Sequence, residues 1–111
     1  MDSKTKARFE ARAKILKAIA HASRLFIIEE LGKGERCVNE LTDMIGVDTS
    51  TVSKHLSVLK NAGLVLDEKR GSSIYYKLRM PCILDFFECV ETVMEANAKE
   101  QMEIVSCCSK V

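Results

Sequence analysis

A chain of 111 residues, 47% of them hydrophobic, supports one small domain around one core. No apolar run approaches the roughly 18 residues of a membrane span, and the opening MDSKTKARFEARAK lacks the apolar core of a signal peptide, so a cytoplasmic protein with no membrane partner is expected. Five cysteines, an odd number, argue against a disulfide framework in a reducing compartment and turn attention to thiol chemistry, while a net charge of +1 by itself says nothing for nucleic acid.

Phe9, Ala13, Leu16 and Ile19 form one stripe and predict a first helix over Thr5 to Ala20, with basic residues around it. His21 and Ala22 interrupt it. Ser23 is expected to cap a second helix that carries Leu25, Ile27, Ile28 and Leu31 into the core and closes at Gly32 and Gly34. Glu35 to Cys37 lead into a third helix, where Leu41, Met44 and Ile45 have i, i+3, i+4 spacing. Gly46, Val47 and Asp48 then break the period, and Val52, Leu56 and Leu59 restart it on a fourth helix capped by Asp48 or Thr49. The outer face of that helix carries Ser50, Thr51, Ser53, Lys54, Ser57 and Lys60, hydroxyls and lysines with almost no acid, which suits contact with phosphates and base edges.

Leu64 to Lys69 and Ile74 to Leu78 are β-rich runs on either side of Arg70, Gly71, Ser72 and Ser73, and predict a β-hairpin with a basic tip. Pro81 then suits the first turn of a last helix reaching about Ile104, with Ile83, Phe86, Phe87, Val90, Val93 and Met94 on its apolar stripe. The fold class is therefore mainly α with a small β-hairpin, a winged helix-turn-helix of five helices. One unit is expected over residues 1–111, with a flexible cysteine-containing tail over 105–111. From Lys54 to Arg79 six basic side chains stand against two acidic ones, and from Asp85 to Glu103 six acidic against one basic. Such a distribution would orient the molecule on a polyanion without raising its total charge.

TVSKHLSVLKNAGLVLDEKRGSSIYYKL resembles the recognition helix and wing of the ArsR–SmtB family of metal-responsive repressors, and the likeness extends upstream through ILKAIAHASRLFIIEELGKGERCVNEL to cover roughly residues 13 to 96. The resemblance implies a homodimer packed through its first and last helices, bound to double-stranded operator DNA with two readers one DNA turn apart. Ser53, Lys54 and Ser57 would point into the major groove, with Thr49, Ser50 and Thr51 on bases or phosphate at the helix start. His55 is expected to pack or to touch phosphate. Arg70 would enter the minor groove or meet phosphate, one of Tyr75 and Tyr76 would bond phosphate while the other joins the core, and Lys60 and Lys77 would anchor nonspecifically.

Soft thiolates favour soft or thiophilic ions: trivalent arsenic or antimony first, cadmium or lead as alternatives. Cys37 in ERCVNEL is similar to the family's ELCVCDL thiolate motif, but Asn39 replaces its second cysteine. The family's histidine and carboxylate site on the last helix is not matched either, since Met80, Cys82, Val93 and Ala96 stand there. The vicinal pair Cys107 and Cys108 resembles the inducer site of some arsenical-responsive members. It is expected to anchor the ion with a third thiolate from Cys37, Cys82 or Cys89, all of which can equally be core residues. A redox or persulfide-responsive dithiol repressor stays open, although FIIEEL offers no thiol in the second helix. A protein-binding winged helix also stays open. An enzyme is not expected, because no nucleophile elbow, paired carboxylate or cleft-forming glycine loop accompanies the thiols and histidines.

Overall fold

The computed structural model describes the backbone of residues 1–109 and the side chains of residues 1–102. The order is α1 (Ser3–Ile19), α2 (Ala22–Lys33), β1 (Arg36–Cys37), α3 (Val38–Ile45), α4 (Thr49–Asn61), β2 (Val65–Arg70), β3 (Ser73–Leu78) and α5 (Ile83–Ser109). These five helices and the hairpin form a winged helix-turn-helix. Two compact units are present, Met1–Pro81 and Cys82–Val111. The division falls at Pro81, which has no backbone donor with which to extend a strand or enter a helix interior.

In the first unit the apolar faces of α2, α3 and α4 converge. Ile27, Ile28, Leu41, Val52, Leu56 and Leu59 are fully buried, and Ile19, Leu31, Leu64, Val65 and Tyr76 close the core around them. Two stripe residues are corrected: Leu25 of α2, expected in the core, and Met44 of α3 stand exposed. α1 begins two residues earlier than its stripe suggests because Asp2 caps it, accepting the Thr5 N–H at 2.7 Å. Gly46 takes φ 81° at the end of α3, the left-handed conformation that lets the chain reverse into α4 without a Cβ clash.

Two local predictions are corrected. Ser23 does not cap α2; His21 does, its Nδ1 accepting the Ser23 N–H at 3.1 Å. Gly32 lies within α2, and Gly34 ends it. A third strand, β1, is not foreseeable from the sequence, since two residues carry no period. It pairs antiparallel with β3 through Arg36 with Tyr76 and Cys37 with Tyr75, and the sheet order is β1-β3-β2. The wing turns on Gly71 and Ser72, with positive φ at Gly71, the pattern of a type II′ hairpin turn.

α5 leaves Phe86, Val90, Val93 and Met94 exposed. Its helical backbone runs to Ser109 rather than stopping near Ile104, so residues 105–109 continue the helix where a tail is expected from the sequence. No helix among the described residues is long and apolar enough to cross a membrane.

Leu56 sits at the centre of the α4 stripe with no exposed surface. Leu56→Ala is expected to lower unfolding free energy by roughly 2–5 kcal/mol, read as a lower urea midpoint with an unchanged slope. A loss under about 1 kcal/mol would mean that the helix is not anchored through this stripe.

Candidate nucleic-acid interface

α4 is fixed at its start by Asp48, whose carboxylate accepts the Thr51 N–H at 3.1 Å and the Ser50 hydroxyl at 3.1 Å. Those hydrogen bonds from Thr51 and Ser50 hold the Asp48 carboxyl below the usual carboxylate range, so the cap remains charged and complements the helix N-terminus. With Val52, Leu56 and Leu59 turned inward, Thr49, Ser50, Lys54 and Ser57 stand exposed, while Thr51 and Ser53 are half-buried. These six predicted residues thus lie on or beside one outward surface. Lys60 is exposed too, but its Nζ lies 2.9 Å from Asp67 Oδ2 and ties the end of α4 to β2.

His55 does not share that surface. Its ring is half-buried, and its Nδ1 accepts the Arg24 Nε–H at 3.1 Å. The ring of His21 lies beside it, with centroids 4.4 Å apart. Position 55 is three residues beyond Val52 and four before Leu59, so the helix turns it toward the α1–α2 corner. Sequence reasoning does not reach Arg24 and His21, because their partner lies more than thirty positions away in the chain and no local pattern reports such a contact.

The wing differs from expectation in its charge. Arg70 is not a free basic tip: Nη1 lies 2.8 Å from Glu35 Oε2 and Nη2 lies 2.8 Å from Glu68 Oε2. Its guanidinium also covers the Tyr75 ring at 4.8 Å. Hydrogen bonds to Glu35 and Glu68 push its already high pKa further up. Tyr76 is the core tyrosine, and Tyr75, half-buried, supports Arg70 instead of standing clear. Lys69 and Lys77 are exposed and have no ion-pair partner among the described residues. The latch on Arg70 is not legible locally because Glu35 is distant in sequence and reads as an ordinary surface acid.

The thiols fall into separate settings. Cys37 is buried on β1, and its N–H donates to Glu40 Oε1 at 3.2 Å at the start of α3. Cys82 precedes α5 and Cys89 lies on it, and both are exposed. The side chains of Cys107 and Cys108 lie outside the described residues. Among the described residues no three His, Cys, Asp or Glu side chains stand together as a metal-binding group.

A family model described as bacterial regulatory protein, arsR family, matches residues 10–66, from α1 through the helix-turn-helix into β2. The chain belongs to the ArsR family. It is similar to the HTH-type transcriptional repressor SmtB of Mycobacterium tuberculosis, 39% identical over 69 residues, 62% of this chain and 51% of that protein. It is also similar to the biofilm growth-associated repressor of Xylella fastidiosa, 31% identical over 88 residues, 79% of this chain and 77% of that protein. Among solved structures, the homodimeric winged helix-turn-helix DNA-binding domain Mb0332 of Mycobacterium bovis superposes with a TM-score of 0.76 at 28% identity, covering 90% of this chain and 93% of that one. The chain spans about half the length of SmtB. Within the ArsR match fall α2, α3 and α4, hence both Arg24 and His55; β3 and α5, with Cys82 and Cys89, lie beyond it.

If the Glu35 carboxylate competes with phosphate for Arg70, Glu35→Gln should tighten binding to duplex DNA several-fold and steepen its logarithmic salt dependence by about 1 for each additional phosphate that is neutralised. Anisotropy titrations at several salt concentrations test this. The same substitution in an Arg70→Ala background should do little. An equal tightening in both backgrounds would mean that Glu35 acts as a bare negative charge and not through Arg70.

Proposed function

We propose that this ArsR-family chain is a DNA-binding transcriptional repressor that holds a palindromic operator as a homodimer and releases it on taking up a thiophilic ion. The observation that carries the reading is the exposed surface of α4, where Thr49, Ser50, Lys54 and Ser57 stand out while Val52, Leu56 and Leu59 are buried. Small hydroxyls allow close approach to base edges, and Lys54 supplies the cation that a phosphate or guanine needs. Lys69 and Lys77 on the wing, without an ion-pair partner among the described residues, add positive charge.

One such helix reads too little DNA for a specific repressor. Two copies related by a two-fold axis place two readers about one helical turn, or 34 Å, apart. The exposed apolar residues Phe9 and Leu16 of α1 and Phe86, Val90, Val93 and Met94 of α5 supply surface that a dimer through the first and last helices would remove from water. The homodimeric state of the similar Mb0332 domain supports the same arrangement.

For the effector, the donor set decides what fits. Met80, Cys82, Val93 and Ala96 offer one thiol and no imidazole or carboxylate, which does not fit a zinc site built from histidines and carboxylates. The five cysteines fit a thiophilic ion better, trivalent arsenic or antimony first and cadmium or lead next. Cys107 and Cys108 would hold it, with a third thiolate from Cys37, Cys82 or Cys89. Ion binding and DNA binding then weaken one another by the same factor, as linkage requires. The exposure of Cys82 and Cys89 favours one second reading, a dithiol switch answering an oxidant or persulfide, in which each pairs with a thiol of another segment or protomer because the helix separates them by about 10.5 Å.

With the chain bound to labelled DNA from upstream of its own gene, arsenite or antimonite is expected to lower the anisotropy to that of free DNA, and a Cys107→Ser, Cys108→Ser variant is expected to stay bound. Release by a persulfide donor with no response to arsenite would replace the ion by the dithiol switch. No release by any of these agents would remove thiol sensing altogether.

A further inference from the structure

Arg24 joins three helices. From α2, its Nη1 donates to the carbonyl of Ala18 in the last turn of α1 at 3.1 Å, and its Nε donates to His55 Nδ1 in the middle of α4 at 3.1 Å. His21 completes the group: its Nδ1 accepts the Ser23 N–H at the start of α2, and its ring lies against that of His55 with an interplanar angle of 46°. Lys54 and Ser57, on the surface proposed to read DNA, are one and two positions from His55.

The chemistry of this group fixes its protonation. A guanidinium has donors and no acceptor, so His55 Nδ1 must present a lone pair to it. The His55 ring is then neutral and carries its proton on Nε2. A proton on His55 Nδ1 would set N–H against N–H and place a further positive charge beside Arg24. The groups that act on His55 are Arg24 of α2 and His21 at its cap, and no carboxylate acts on it among the described residues. Burial first, and then His21 and Arg24, hold the His55 imidazole below the ordinary histidine range.

We propose that Arg24 and His55 are positioning residues for DNA reading, a strut that sets α4 on the α1–α2 corner and is broken when His55 takes a proton. The proposal rests on the reading of α4 as the DNA-binding helix. Its consequence has a sign that a direct contact would not give. A histidine that touched phosphate would bind DNA more tightly when charged, so affinity would rise on acidification. The strut requires the reverse. Because the folded chain takes up the proton less readily than the unfolded chain, the stability contributed by the strut is complete above the ordinary histidine value of about 6.5 and is lost as pH falls through the lower folded value. Operator affinity is expected to fall over the same interval.

The test is operator anisotropy from about pH 8 to pH 5.5 on the full chain, a range that spans the ordinary histidine value. His55→Asn places an amide oxygen near the position of Nδ1, where it can accept from Arg24 and cannot take a proton in this range. The native chain is expected to lose affinity several-fold on acidification, while His55→Asn, whatever its affinity near pH 7.5, shows a flat profile. Arg24→Ala should bind more weakly near pH 7.5 and also respond little to pH. Affinity that rises as pH falls in the native chain, or a pH response that survives in His55→Asn, overturns the proposal.

A second readout needs neither a variant nor DNA. In the native chain, nitrogen chemical shifts are expected to identify His55 as the Nε2–H tautomer near pH 7.5 and to follow its titration below about 6.5. An Nδ1–H tautomer, or titration above that value, refutes the strut. Failure of the native chain to bind operator at any pH would instead refute the DNA-reading proposal, leaving the tautomer measurement to decide the strut.

Discussion

The molecule depends on the burial of one side of α4. Val52, Leu56 and Leu59 have no exposed surface, and α4 packs on α1, α2, α3 and β2. Each such side chain contributes roughly 1.5–3 kcal/mol relative to exposure, a large share of the few kcal/mol by which a domain this size is stable. The same burial turns Thr49, Ser50, Lys54 and Ser57 outward. Stability and the candidate interface therefore follow from one amphipathic pattern, and a substitution that rolled this helix would disturb both.

Around that anchor, electrostatics decides which polar groups are free to meet a ligand. Lys60 is paired with Asp67, and Arg70 is held by Glu35 and Glu68 over Tyr75. Exposed ion pairs of this kind are worth little to stability. Their effect lies in availability, since a phosphate must displace a carboxylate before it can use either cation. Lys54 on α4 and Lys69 and Lys77 on the wing are exposed and carry no such partner among the described residues. The net charge of +1 conceals this division entirely.

Periodic elements are legible in the sequence and isolated contacts are not. Leu41, Met44 and Ile45, then Val52, Leu56 and Leu59, repeat at helical spacing, and Gly46 with Asp48 marks the turn between them, so the helix-turn-helix can be read to within a residue or two. The hairpin is equally plain from its β-rich runs and Gly71. β1 escapes such a reading because a strand of two residues has no period, and its place depends on β3 offering an edge. Serine is the commoner residue at a helix cap, yet His21 and not Ser23 holds that place in α2 through its bond to the Ser23 N–H. The fates of His55 and Arg70 are set by Arg24 and by Glu35, partners brought near by the tertiary fold alone.

The thiols are divided between the two units, with Cys37 buried in the first and Cys82 and Cys89 exposed in the second. Whether α4 reads sequence comes before any question of an effector. The most direct measurement compares binding to the duplex upstream of its own gene with a scrambled duplex of equal length and composition at physiological salt. A preference of about 1,000-fold or more is expected, much reduced by Lys54→Ala together with Ser57→Ala, with weaker, steeply salt-dependent binding to the scrambled duplex. Equal affinity for both duplexes, or specific binding untouched by those two substitutions, would contradict this reading of α4.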